Sequence, residues 1–316
     1  MTALRVAFFW LGLLLSGAAK AATTVWIDTD PAIGAPWREV DDAFALVLAF
    51  HSPEIEIAGI STTYGNAALA RTSAVARELV RRFGAAAQLT ERDVYPGARS
   101  ASARAQRTVA TEALARVLRR KRLTYIALGP LTNLAAFLEL YPGLAARIER
   151  VIYVGGRSPQ ERFTFGPEKS FAVHDANVCK DPAAVATVLR ASPPLLFAPV
   201  EIAPELALTS ADVRKLRDGS AAGDYLFHHT RVWLWFWTNV VREKGGLAFD
   251  VIAILPVLQA NLLQTETRFA QFDLQGDLVA QRAPGPGRRR VQFAIGLRKQ
   301  TTKPLVLERL KRRPAN

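Results

Sequence analysis

The sequence predicts an α/β fold in which a mostly parallel central sheet is flanked by helices on both faces. Short runs of β-forming residues alternate along the chain with segments of helical period, the order that gives a parallel sheet covered on both sides. The strand-like runs stop at Asp, Asn or Gly, so small and polar residues collect where strand carboxyl ends meet the following helices, the usual ligand crevice of such sheets. Half of the 316 residues are hydrophobic, enough to bury a large sheet.

The first run, Val25-Trp26-Ile27, ends in Asp28-Thr29-Asp30-Pro31. A loop with Gly34 and Pro36 follows, and an apolar helix-period segment to Phe50 opens at Asp41-Asp42. Strand end and helix start face one crevice, so Asp28, Asp30, Asp41 and Asp42 converge there. Repulsion strains such a cluster unless a cation occupies it, and an all-oxygen shell suits Ca²⁺ or Mg²⁺ rather than zinc. Asp41 as a helix cap would account for one acid and not for four.

A second strand from Ile55 leads through Thr62 and Gly65 to Asn66, and a helix rich in Ala and Arg covers Leu69 to Phe83. Pro96-Gly97 marks a loop, and residues 108–120 read as an amphipathic helix. A third strand, Leu123 to Leu128, turns at Gly129-Pro130-Leu131-Thr132-Asn133 directly into a helix. Arg150 to Val154 is a fourth strand stopped by Gly155-Gly156, and Leu195 to Val200 a fifth. Asp181-Pro182 opens a helix with an acidic cap and Pro at the first turn. Residues 283–290 form a surface turn between two late strands. With no internal repeat and no long linker, residues 22–316 read as one domain.

The net charge of +13 invites a nucleic-acid reading. Its sources, such as Arg77, Arg81 and Arg82 or Arg116, Arg119 and Arg120, fall at helical spacing without interleaved aromatics, so solvated surface is the better account and no nucleic-acid partner is expected. Residues 1–21 read as a secretory signal: Arg5, an apolar core from Val6 to Leu15, and Ala19-Lys20-Ala21 as the cleavage site. The apolar run is too short to span a bilayer, so an exported, periplasmic or secreted protein without stable membrane insertion is expected. Cys179 is the sole cysteine, which excludes an intramolecular disulfide.

Asp-x-Asp-Pro, Asp-Asp-Ala-x-Ala-Leu, Gly65-Asn66, Gly129-Pro130-Leu131-Thr132-Asn133-Leu134-Ala135, Gly155-Gly156 and Asn177-x-x-x-Asp181-Pro182 together make a specific pattern. It resembles the inosine-uridine-preferring nucleoside hydrolase family, from about Val25 to Leu258. The resemblance implies a Rossmann-like open sheet, one bound Ca²⁺, and hydrolysis of the N-glycosidic bond of ribonucleosides. Residue by residue, Asp30 matches the metal ligand that is also general base on the metal-bound water. Asp42, Asp250 and the backbone carbonyl of Leu128 match the other protein ligands. Asp41, Asn66, Asp175 and Asn177 match ribose contacts, with Asp175 standing where the family usually has Glu. Asp28 is the structural acid, expected to orient the loop through backbone hydrogen bonds. A homo-oligomer, dimer or tetramer, is also implied.

These residue types suit the chemistry. Cleavage of a ribosyl C–N bond passes through an oxocarbenium-like sugar, which an anionic, amide-bearing site stabilises. A divalent ion lowers the pKa of its water, and a ligating carboxylate can take the proton.

Two departures bear on the substrate. Ile33 to Val40 is extra chain where the family has two residues, and its Trp37 can serve as a lid or shield the helix start. Phe249 stands directly before Asp250 where many members have a histidine that protonates the departing base. Candidates for that task are His228 and His229, with Trp233, Trp235 and Trp237 as stacking partners or as core; His51 and His174 read as structural. Phe249 opens the reading of a hydrolase for another N-riboside, such as nicotinamide riboside. A non-hydrolytic nucleoside- or ribose-binding protein is the reading from another class.

Overall fold

A computed structural model describes residues 21–165 and 170–312 of the chain. Apart from its last residue, the segment read as an export signal lies outside the described residues. Among the described residues no helix is long and apolar enough to cross a membrane.

In chain order the elements are β1 (Thr23–Thr29), α1 (Asp41–Phe50), β2 (Ile55–Thr62), α2 (Leu69–Phe83), β3 (Val94–Pro96), α3 (Val109–Leu118), β4 (Leu123–Ala127), α4 (Thr132–Leu140) and β5 (Ile148–Val154). The short pair β6 (Thr164–Phe165) and β7 (Phe171–Ala172) follows, then α5 (Ala176–Lys180), α6 (Pro182–Arg190), β8 (Leu195–Ala198), α7 (Ser210–Leu216), α8 (Ala221–His229) and α9 (Arg231–Trp235). The last part comprises α10 (Phe249–Leu258), β9 (Leu263–Phe272), β10 (Leu278–Gln281), β11 (Arg289–Leu297) and α11 (Lys299–Leu310).

The main sheet has nine strands in the order β10-β9-β11-β8-β5-β4-β1-β2-β3. All pairings from β3 to β11 are parallel, while β9 pairs antiparallel with both β11 and β10. The order runs outward from β1 in both directions, so a topological switch point lies between β1 and β4. Register sets Asp28 opposite Ser61 of β2 and Ala127 of β4, which brings three strand ends level.

Alternate strand residues feed two cores, as the period of two demands. Val25, Ile27, Ile126 and Ile152 face α1, α2 and α10, whereas Trp26, Tyr125, Val151 and Tyr153 face α3, α4 and α6. Every residue of α1 is buried, and so is all of α10 except Phe249. A helix apolar on all sides must be enclosed, and these two pack against each other beneath the remaining helices. Their amino termini, which carry the acids, are thereby fixed together over the switch point.

The strand ends are locked by Asn133 at the start of α4. Its Oδ1 accepts from the Ala98 N–H (2.7 Å), and its Nδ2 donates to Asp28 Oδ1 (2.7 Å) and the Thr62 carbonyl (3.2 Å). Asn133→Ala would leave the buried Ala98 N–H without a partner, at about 1–3 kcal/mol, and take one bond each from Asp28 Oδ1, which keeps Ser61, and the Thr62 carbonyl, which keeps the Gly97 N–H. We expect a loss of about 3 kcal/mol, read as a lower urea midpoint with an unchanged m-value.

Candidate active site

The floor of the site forms where β1 ends and α1 and α10 begin. Carboxylate oxygens of Asp41, Asp42 and Asp250 all lie within 4.8 Å of one another, and the three side chains are buried. Asp30, one residue beyond β1, joins them across Asp42: its backbone N–H donates to Asp42 Oδ1 (3.0 Å), which also accepts from the Thr29 hydroxyl (2.5 Å). Asn66 bridges the same two acids, its backbone N–H donating to Asp30 Oδ2 (2.6 Å) and its Nδ2 to Asp42 Oδ2 (3.0 Å). Asp41 is the first residue of α1 and does not cap that helix; its Oδ2 accepts from the Asp250 N–H (3.2 Å) in the first turn of α10.

Two glycines make room for Asp30. A Cβ on Gly65 would stand 1.8 Å from Asp30 Oδ2, and one on Gly129 would stand 2.7 Å from Oδ1. The glycines of the Gly-Asn and Gly-Pro-Leu-Thr-Asn motifs are thus required by close approach to the carboxylate.

The carbonyl of Leu128 accepts from Asn177 Nδ2 (2.7 Å), which also donates to the Val154 carbonyl (3.1 Å). Asp175 caps α5: Oδ1 accepts from the N–H groups of Asn177 (2.9 Å) and Val178 (3.2 Å), and Oδ2 from Gly156 (2.8 Å). Asp28 was expected to orient the loop through backbone bonds. Instead its Oδ1 accepts from the side chains of Ser61 (2.6 Å) and Asn133 (2.7 Å), because the strand register puts Ser61 directly opposite.

Above this floor lies a cavity of ≈ 420 Å³. Asp41, Asn66, Leu128, Asp175, Asn177 and Asp250 line it, which brings six of the expected site residues to one surface; Asp30 and Asp42 lie beneath. The rest of the lining is largely aromatic. Phe249 packs on Phe163 and Trp237 (centroids 5.5 and 5.8 Å), and Trp237 on Phe236 (6.1 Å). Phe236 and Trp237 come from a single wide turn, Phe236–Val240, in which the Val241 N–H reaches back to the Phe236 carbonyl.

Glu39 also lines the cavity. Its Oε2 accepts from the indole N–H of Trp233 (2.6 Å) and Trp237 (3.4 Å). Trp233 itself is buried behind the wall.

Other expected contacts lie elsewhere. Trp37 is exposed at positive φ (60°) and meets Trp235 edge-on at 6.1 Å, beside His228 in a separate surface hollow. His229 stacks on Tyr225, and its Nδ1 lies 2.8 Å from the Tyr225 carbonyl. Phe236 and Trp237, at the start of the wide turn, line the cavity, whereas Trp235 and His228, which precede it, line the separate hollow. His51 is structural, with Nδ1 2.8 Å from the Arg309 carbonyl. His174 lines the cavity, with Nδ1 2.6 Å from Asp277 Oδ1.

Sequence reasoning passed over Glu39 and Lys180. Trp233 and Trp237 stand four apart on one helical face, a spacing that suited a shared acceptor. Lys180, at the end of α5, brings Nζ to 3.9 Å from Asp30 Oδ2.

Electrostatics follow from the crowding. Burial, reinforced by neighbouring carboxylates, raises Asp30, Asp41 and Asp250 well above the usual carboxyl range. Burial also raises Asp42, against hydrogen bonds from Thr29, Asp30 and Asn66. Burial pushes Asp28 and Asp175 up to about 6 and Glu39 up to about 7. Among the described residues, Lys180 makes the sole salt bridge to the four clustered acids. A set of carboxylates with a nearby carbonyl, carrying more negative charge than one ammonium balances, fits a hard divalent cation.

An open sheet with buried acids beneath a cavity at its switch point defines an α/β protein with a ligand crevice suited to a hard cation. The chain belongs to the inosine-uridine preferring nucleoside hydrolase family, whose model matches residues 25–302, beyond the Leu258 limit visible in the motifs. It is 26% identical over 285 residues to the non-specific ribonucleoside hydrolase RihC of Salmonella enteritidis PT4, covering 82% of this chain and 86% of that one. It is also 26% identical to the pyrimidine-specific ribonucleoside hydrolase RihA of Salmonella arizonae, covering 75% of this chain and 82% of that one. Its fold is similar to that of the plant nucleoside hydrolase PpNRh1 (TM-score 0.77, 23% identity, 92% of this chain and 99% of that one). The purine-preferring ribonucleoside hydrolase of Gardnerella vaginalis is similar too (TM-score 0.75, 22% identity, 92% and 98%).

The buried acids bind protons more tightly in the folded chain than in the unfolded one, where carboxyls titrate near 4. Between about 4 and 6–7 the folded state therefore holds more protons, and stability falls as pH rises. Chelator-treated protein should gain on the order of 5 °C in Tm between pH 7.5 and pH 5.5. An excess of a hard divalent cation should flatten that slope, which thermal melts across the range will show.

Proposed function

We propose that this enzyme hydrolyses the N-glycosidic bond of ribonucleosides to free base and ribose, with Ca²⁺ at the aspartate cluster and Asp30 as general base. The observation that carries the reading is the convergence of Asp30, Asp41, Asp42 and Asp250 beneath a cavity that continues into an aromatic wall. Ca²⁺ bound there supplies activation of water and a grip on vicinal hydroxyls.

The chain's own residues supply the rest. Asp30 is held rigidly by the Asn66 N–H and by the two close glycines, so its carboxylate is positioned to take a proton from the attacking water. Asp41, Asn66 and Asn177 offer acceptors and amides to the ribose hydroxyls at the floor. The surplus of carboxylates stabilises positive charge as it develops on the sugar ring. The aromatic wall excludes water from the leaving base and offers faces for stacking. The pattern of residues 1–21 supports an exported enzyme.

Purified protein with Ca²⁺ should release base from a ribonucleoside such as inosine or uridine, followed by the change in base absorbance. Chelation should stop release and added Ca²⁺ restore it. Asp30→Asn should lower kcat by about 10³-fold, within the range for loss of a general base, with KM changed far less. Absence of release from any ribonucleoside would refute the proposal.

A further inference from the structure

We propose that the base-binding part of the cavity selects N-ribosides whose base carries a positive charge, and that Glu39 is the residue that selects them. This rests on the N-riboside hydrolase reading above and narrows its substrate class.

Phe163, Phe236, Trp237 and Phe249 form one continuous aromatic surface in the cavity. Such faces attract a flat cation more strongly than a neutral ring. Glu39 stands against this surface, carried there by the extra segment before α1. Both indole N–H groups fall on Oε2, and among the described residues Oε1 has no hydrogen-bond partner. The lining holds four acids, Glu39, Asp41, Asp175 and Asp250, and among the described residues no Lys or Arg. A half-buried carboxylate beside aromatic rings, with no Lys or Arg among the residues lining that wall, is an arrangement that a cationic ring completes.

Leaving-group chemistry points the same way. A neutral nucleobase departs more readily when an acid delivers a proton to it. Phe249, directly before Asp250, has none to give, His228 and His229 lie outside the cavity, and His174, the one imidazole among the lining residues, has Nδ1 held by Asp277 and only Nε2 left to donate. A base joined to ribose through a positively charged ring nitrogen needs no such proton. The C1′–N bond breaks with its electron pair passing to that nitrogen, and the base leaves neutral. Water supplies the oxygen that bonds to C1′, and its proton passes to Asp30 and then to solvent.

The test compares kcat/KM for nicotinamide riboside, whose pyridinium is charged, with kcat/KM for uridine and inosine. We expect the wild-type ratio to favour the cationic riboside by at least about tenfold, and Glu39→Gln to reduce that ratio by about tenfold. Tryptophan-fluorescence titration with the N-methylnicotinamide cation against neutral nicotinamide reads binding without turnover. The cation should bind more tightly, and the difference should disappear in Glu39→Gln. If wild type cleaves uridine or inosine as well as nicotinamide riboside, the charge inference is overturned while the hydrolase reading stands. If no riboside is cleaved, the hydrolase reading falls and the fluorescence titration still decides whether the pocket prefers the cation. The wild-type comparison needs no variant, so a poorly folding Glu39→Gln leaves the inference exposed to refutation.

Discussion

Repulsion among Asp30, Asp41, Asp42 and Asp250 is the constraint to which the surrounding structure answers. Four acids withdrawn from water are unstable neighbours, and nothing in the local sequence near any one of them relieves it. The relief is distributed. Thr29 and Asn66 direct hydrogen bonds at Asp42 and Asp30, and the Asp250 N–H serves Asp41. The apolar bodies of α1 and α10, buried almost throughout, anchor the charged ends against their tendency to part. Hydrophobic burial along two helices thus holds a charge density that a hard cation then balances.

Much of the scaffold was legible because it follows local rules. The Asp181-Pro182 start, the helix Leu69–Phe83 and the strand ending at Val154 came from capping, periodicity and glycine stops, and the structure has all three. The acids were also legible, as four carboxylates at a strand end and a helix start. Which acids approach most closely was not. The sequence suggested Asp30, Asp42 and Asp250, whereas the tightest group is Asp41, Asp42 and Asp250. That depends on the rotation of α1 about its axis, which packing against α10 sets over more than two hundred residues of separation.

The aromatic side was less legible for a related reason. Tryptophans at alternate positions suit a strand, a core helix or a binding wall equally well in sequence. The structure divides them: Trp233 in the core, Trp235 exposed, Trp237 both buried and facing the cavity. Glu39 escaped notice because its meaning lies in two indoles nearly two hundred residues away. The extra segment before α1 drew attention through Trp37, its most conspicuous residue, yet its contribution to the cavity is the acid two positions further on.

The wide turn at Phe236–Val240 carries one more residue per loop of backbone than an ordinary helix, and this decides which side chains share a direction. Taking one residue out of that turn would restore even winding and swing every later side chain around the axis by roughly a quarter of a revolution or more. Trp237 would lose its place between Glu39 and Phe249, although composition and helix content would scarcely alter. In this chain the shape of the aromatic wall can therefore be revised by a single-codon insertion or deletion in a helix, leaving the acid cluster at the strand ends untouched.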